Sequence, residues 1–260
     1  MQSKRFWTKL AEIPLWLEAH GTYLPWLFRD YMMMPTEADR QQYRALMAEA
    51  GQNPESPLHI TADDLALERS AQPPEAADLP EDVLEGLGMY RKIVAVMSYC
   101  DTLLFHSSAL ALDGRAYLFT APSGTGKSTH ARLWRQVFGD RVTMINDDKP
   151  LLRLQADGTW RVYGTPYAGK DGIQTNTSET VRGIVMLAQG KENKIERVSP
   201  HDAYVFLLTQ TYHDDQKPQE MLHVMDLLGL LAKLPIFRLQ CTISEEAVRV
   251  AYQALKGETV

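Results

Sequence analysis

A chain of 260 residues, 45% hydrophobic and 23% charged, has enough apolar material for one large domain, or one domain with a small companion. Its formal charge of -6 argues against a nucleic-acid-binding surface, and no apolar run reaches the length of a membrane span. The N-terminus has no signal-peptide apolar region, and Cys100 and Cys241 lie far apart with no metal-ligand spacing, so a cytoplasmic protein with buried free thiols is expected.

Residues 1 to about 70 read as a small separate α+β unit. Leu10 to Met34 is rich in aromatics, and Gly21 and Pro25 break any long helix, which favours short strands. Thr36 with Asp39 forms a capping box for a helix that Gly51 closes. Leu58-His59-Ile60-Thr61 alternates as a strand does. Three prolines between Ala71 and Pro80 mark a linker over 71–80, followed by a second domain over 81–260. Val83, Leu84, Leu87, Tyr90, Val94 and Met97 recur at helical steps from Glu81 to about Ser98.

Two apolar runs, Leu103 to Leu112 and Tyr117 to Phe119, flank Asp113-Gly114, a strong hairpin signal. The strand ending at Thr120 is therefore expected to pair antiparallel with its predecessor, unlike the opening of a wholly parallel sheet. A helix over His130 to Phe138 and a strand over Val142 to Ile145 follow, then a second hairpin around Ala156-Asp157-Gly158-Thr159. Val181 to Ala188 and Ile236 to Leu239 read as strands. Helices are expected after Ser199-Pro200, over Met221 to Leu231 and over Glu245 to Leu255.

The most informative stretch is Ala121-Pro122-Ser123-Gly124-Thr125-Gly126-Lys127-Ser128-Thr129. A strand, a Gly-rich turn and a helix in that order aim backbone N–H groups and the positive end of a helix dipole at a phosphate. Lys127 would reach the β- and γ-phosphates, and the Ser128 hydroxyl would ligand Mg²⁺. Ala121 stands where the first Gly of such loops is expected. Asp147-Asp148, at the end of the next strand, supply what phosphoryl transfer needs: one carboxylate to orient Mg²⁺ and one to accept a hydroxyl proton. Their side chains leave an extended backbone in opposite directions, so their roles differ. Lys149, Lys170 and Arg182 are candidate counter-charges to phosphate. His130 sits in the first turn of the loop helix, where a cation is disfavoured, so a neutral packing or substrate-edge role is expected. His213-Asp214-Asp215 lacks metal-partner spacing, and His223 reads as structural.

With His106-Ser107-Ser108-Ala109-Leu110 heading the hairpin, the loop Pro122–Ser128 and the paired aspartates, the chain resembles the HPr serine kinase/phosphorylase family. It is also similar to the smaller kinases that share the phosphoenolpyruvate carboxykinase nucleotide-binding fold. Glu179-Thr180-Val181-Arg182-Gly183-Ile184 resembles that family's Glu-x-x-Arg-Gly or Glu-x-Arg-Gly signature. The resemblance spans about residues 86 to 200 and matches neither the family's usual N-terminal domain nor the longer C-terminal features of true HPr kinases. It implies a mixed-sheet α/β P-loop kinase domain with the small N-terminal unit, using ATP and Mg²⁺. ATP would be held by Ser123, Gly124, Thr125, Gly126, Lys127, Ser128 and Thr129, with Ser128 and Asp148 at the metal. Asp147 would be the general base and Asp148 the metal-orienting group, or the reverse, with His106 on the acceptor side and Arg182 on the transferring phosphoryl group.

The reaction expected is transfer of the γ-phosphoryl group to a hydroxyl, foremost a serine of a protein or peptide. The small N-terminal unit would recognise that acceptor, with Trp16, Trp26 and Tyr31 as contact candidates or as core. A small-molecule hydroxyl kinase is the nearest rival, and a non-catalytic ATP-binding sensor belongs to a different class.

Overall fold

In the computed structural model, which describes residues 3–73, 76, 78–169, 171–213 and 218–257, the chain forms two units, Met1–Cys100 and Asp101–Val260. The first is built on a hairpin of β1 (Lys4–Leu10) and β2 (Ile13–Ala19), whose turn places Ala11 and Glu12 at φ 47° and 66°. Both turn residues are left-handed, matching the twist of a two-residue hairpin despite the absence of Gly. After α1 (Tyr23–Leu27), β3 (Met32–Met33) completes a three-stranded sheet of order β2-β1-β3. The short strands expected between Leu10 and Met34 are thus interrupted by one helical turn.

Helix α2 (Glu37–Glu49) carries the expected Thr36–Asp39 capping box. Leu58 makes one parallel bridge to Leu17 where the alternation predicts a strand. A further helix, α3 (Ala62–Ala71), opens on an unanticipated box of Thr61 and Asp64. Helix α4 (Glu81–Met97) packs on α1 and α3, so it belongs to the first unit although its sequence pattern groups it with the second domain. Within the Pro-rich segment, residues 74, 75 and 77 lie outside the described residues. Of the three aromatic contact candidates, Tyr31 is buried, Trp16 stacks on Trp7 with centroids 5.7 Å apart, and Trp26 is 57% exposed.

Among the described residues, the second unit is built on a mixed sheet of nine strands: β4 (Thr102–Leu104), β5 (Ser108–Leu112), β6 (Arg115–Thr120), β7 (Val142–Asn146), β8 (Leu151–Leu154), β9 (Trp160–Tyr163), β10 (Ser178–Gln189), β11 (Lys194–Arg197) and β12 (Ile236–Cys241). Strand β10 runs parallel to β6 and to β12, whereas β5 runs antiparallel to both β6 and β7. Asp113 and Gly114, at φ 52° and 73°, form the turn that delivers β6, as the sequence predicts. The second expected hairpin is β8–β9.

Strand β6 is buried on both faces. Ala116 and Leu118 join one core cluster with Leu207, Leu227 and Leu231 of α6 (Pro200–Thr209) and α7 (Pro218–Leu231). Tyr117 and Phe119 join the opposite cluster with Trp134 of α5 (Lys127–Phe138) and Val248, Ala251 and Leu255 of α8 (Glu245–Lys256). Helices on both faces explain the near-continuous apolar run that precedes the Gly-rich loop. Among the described residues, no helix is long and apolar enough to cross a membrane. Cys100 and Cys241 are free and only partly buried.

Gly114 has open space around its missing Cβ, so an alanine there meets only the left-handed backbone penalty. Gly114→Ala is expected to lower the urea-unfolding free energy by about 1 kcal/mol with an unchanged m-value. A stability equal to wild type would show that the turn does not hold this conformation.

Candidate functional site

The register of three strands brings the site together. Ser108 at the start of β5 lies opposite Phe119 near the end of β6, and Ala109 lies opposite Asn146 at the end of β7. His106 and Ser108, Thr120 and its following loop, and Asn146 to Asp148 therefore meet at one edge of the sheet.

The loop leaves β6 at Thr120 and enters α5 at Lys127. Gly124 and Gly126 adopt φ 79° and 118°, which L side chains rarely take up, and nothing lies within 4 Å of where a methyl group on either would sit, so their side of the loop faces open space. Ala121 explains itself: it is absent from the positive-φ residues, and it is fully buried in the cluster with Phe119 and Trp134. A methyl group packs where a Gly would leave a void. Lys127 is folded back, its Nζ donating to the Ala121 carbonyl at 2.9 Å. Burial pulls its ammonium below the ordinary lysine value, and Asp148 and Asp147 partly offset this.

Asn146 organises the aspartates. Its side-chain Oδ1 accepts from the backbone N–H groups of Asp148 at 2.9 Å and Lys149 at 2.7 Å. Its Nδ2 donates to the Thr165 carbonyl, the Thr165 hydroxyl and the Tyr167 carbonyl at 3.1 to 3.2 Å. Fully buried, it fixes a tight turn that sends the two carboxylates apart. Asp147 is buried and accepts from the Ser108 hydroxyl at 2.7 Å. It lines a small cleft of about 140 Å³ together with Ser128, Arg132, Arg135 and Asp171. Asp148 is more open, and its Oδ1 lies 3.3 Å from His106 Nε2 and its Oδ2 3.8 Å from Lys149 Nζ. Burial works against its ionised form, but the His106 hydrogen bond and the charges of Lys149, His106 and Lys127 outweigh it and hold the carboxyl below its ordinary range.

The backbone of His106 is tied in as well. Its N–H donates to the Gln210 carbonyl at 2.7 Å, and its carbonyl accepts from the Thr120 hydroxyl at 2.9 Å. Asn146, Ser108 and Gln210 are therefore part of the site that motif reading leaves unassigned. Asn146 directly precedes the Asp-Asp pair, a common turn-forming position, which is the one signal for it in the sequence.

Arg182 does not join them. It stands near the start of β10, next to the Val181–Ala116 pair, at the end of β6 remote from the loop. Its guanidinium donates to the Leu255 and Lys256 carbonyls at 2.9 Å, closing the C-terminus of α8. Its signature assigned it to the phosphoryl group, but the long strand β10 puts it at the opposite end. Lys170, Asp214 and Asp215 lie outside the described residues. His223 pairs with Asp101 at 3.3 Å.

For Mg²⁺, the Ser128 hydroxyl and the Asp147 carboxylate on one small cleft are hard oxygen donors of the kind that, with phosphate oxygens, suit that ion. Among the described residues no cluster of three or more His, Cys, Asp or Glu side chains forms a metal cage.

Against known proteins, no family model and no curated protein matches the chain. Among solved structures, the chain is similar to the Hpr(Ser) kinase/phosphatase from Coxiella burnetii, at 12% identity over 59% of this chain and 99% of that one, with a TM-score of 0.33.

Two outcomes follow from this geometry. Asn146→Asp keeps the acceptor but turns the donor into a second carboxylate oxygen facing three oxygen atoms. It is expected to cost about 3 kcal/mol or more in urea unfolding, and a loss under about 0.5 kcal/mol would contradict the network. His130 is buried, which pulls its pKa from 6.5 down to about 4. Its folded value lies below its unfolded one, so its contribution is complete above about pH 6.5 and is lost as the pH falls towards 4, by up to about 3 kcal/mol. Urea titrations of wild type and His130→Phe between pH 7 and pH 4.5 should diverge accordingly, and parallel profiles would refute the assignment.

Proposed function

We propose that the C-terminal unit is an ATP- and Mg²⁺-dependent phosphotransferase that moves the γ-phosphoryl group to a hydroxyl, a serine of a protein or peptide. The observation that carries this reading is the convergence of an open Gly124–Ser128 cradle with two differently held carboxylates at one sheet edge.

The roles follow from what each group touches. The loop N–H groups and Lys127 bind the phosphate chain, with the N-terminus of α5 adding its partial positive charge. Ser128 and Asp147 hold Mg²⁺, because they share a cleft and Asp147 is locked by Ser108. The ion supplies neutralisation of charge on the β- and γ-phosphates. Asp148, backed by His106, accepts the proton of the attacking hydroxyl. The hydroxyl oxygen forms its bond to the γ-phosphorus, the bond from that phosphorus to the β–γ bridging oxygen breaks, and ADP leaves. A carboxylate held below its usual pKa is a weak base, which suffices where the transition state is loose and the proton departs late. This exchanges the sequence-based preference for Asp147 as base. Arg182 has no part in it, and the N-terminal unit is proposed as the acceptor-binding part, with exposed Trp26 the remaining aromatic contact.

The test is transfer of label from γ-labelled ATP with Mg²⁺ to serine-containing cellular proteins and peptides. Asp148→Asn should lower kcat by about 10²- to 10⁴-fold while leaving the KM for ATP within a few-fold. Lys127→Ala should abolish nucleotide binding, and Arg182→Ala should leave kcat within about two-fold of wild type if folded. Nucleotide binding by wild type with label reaching no hydroxyl would leave a sensor and end the kinase reading.

A further inference from the structure

On the other side of α5 lies a larger cavity of about 530 Å³. The phosphate loop and the first turns of α5 form one wall, the ends of β10 and β12 the other. Leu133, Leu187, Cys241 and Ile243 supply apolar surface, and among the described residues no acidic side chain, lysine or arginine lines it. Thr129 borders both this cavity and the cleft that holds Asp147, so the first turn of α5 lies between the two.

His130 is the one imidazole among the described residues of this wall, and it is 3% exposed. Trp134 Nε1 lies 3.0 Å from His130 Nε2. An indole N–H can only donate, so Nε2 must accept and the ring proton must sit on Nδ1. Phe119 covers the ring edge-on, with centroids 4.7 Å apart. Among the described residues Nδ1–H has no hydrogen-bond partner, although the ring is nine-tenths buried and lines the cavity. Nδ1 is not among the fully buried side-chain atoms left without a partner, so its N–H opens onto the cavity, where an acceptor atom of a ligand can meet it. Gln189 closes the far side, its Nε2 donating to the Thr125 carbonyl at 3.3 Å.

We propose that this cavity seats the nucleoside of the nucleotide whose phosphates the loop holds, and that His130 gives its Nδ1–H to an acceptor atom of the base or ribose. The inference rests on the nucleotide reading above. An uncharged, partly apolar cavity beside an anion cradle suits a flat neutral ring carried on a phosphate chain; it offers nothing to a second phosphate or to a cation. The Trp134 bond makes the donor fixed: protonating Nε2 would set two N–H groups against each other. His130 is thus a neutral recognition group rather than a charge on the phosphates.

The test compares Mg·ATP with Mg·tripolyphosphate, which carries the phosphates without the nucleoside. Calorimetry on the full chain should show wild type binding both, ATP more tightly. His130→Phe should weaken ATP about 5- to 10-fold and leave tripolyphosphate unchanged. Ile243→Ala, at a position 79% exposed and safe for folding, should weaken ATP about 3-fold with the same selectivity. In ¹⁵N-imidazole spectra His130 should appear as the Nδ1–H tautomer and shift with ATP but not with tripolyphosphate. If both variants bind both ligands as wild type does, or lose both equally, the inference is overturned while the phosphate site stands. If wild type binds neither ligand, the phosphate reading falls and this inference with it.

Discussion

Strand β5 runs antiparallel between β6 and β7, and the groups of the candidate site depend on that register. It sets the start of β5 beside the ends of the other two strands. There Ser108 can hold Asp147 and the His106 ring can meet Asp148. A slip of one residue would turn Ser108 to the opposite face of the sheet and leave the Asp147 carboxylate buried without its hydroxyl. The two-residue turn at Asp113-Gly114 and the opposite burial of Leu118 and Phe119 resist such a slip, because both faces of β6 are filled.

Position along the sheet is only half of the construction. The N-terminus of α5 must also point at the cradle, and Trp134 anchors it. That side chain is fully buried against Tyr117 and Phe119 of β6, with centroids 5.1 Å away from each, and meets Tyr252 of α8. Removing such a side chain costs about 3–5 kcal/mol, so the helix is held by packing rather than by its own propensity. The same indole also fixes the tautomer of His130 one turn earlier. The face that steadies the helix therefore also determines which hydrogen-bonding group it presents to the larger cavity. Asn146 plays the matching part on the other flank, with Thr165 and Tyr167 as its anchors.

What could be read in the sequence was local. The Asp-Gly turn and the Thr36–Asp39 box each depend on a few adjacent residues and take the expected form, and the Gly-rich loop leads from a strand into a helix. The mixed sheet followed from the same turn. Long-range partners were not legible. Asn146 is meaningful only once residues 165–167 fold across it, and Gln210 only once α6 ends beside His106. Arg182 shows the opposite failure: the strand expected around it forms, but the register of β10 on β6 sets it beside the start of β6, where it meets α8 rather than the loop. Helix α3 escapes sequence reading because Leu65 and Leu67 are two residues apart and make no helical stripe. Ala121 reads as a defect in the loop motif, yet its backbone needs no positive φ and its methyl group is core.

A crystal structure of the full chain with Mg²⁺ and a non-hydrolysable ATP analogue tests the central claim most directly. The β-phosphate is expected within hydrogen-bond distance of the backbone N–H groups of residues 124–128, with Lys127 Nζ moved from the Ala121 carbonyl to the phosphates. Mg²⁺ is expected on Ser128 and Asp147, with Asp148 still on His106. A nucleotide bound elsewhere, or Mg²⁺ ligated by Asp148 with Asp147 still turned to Ser108 alone, would contradict it.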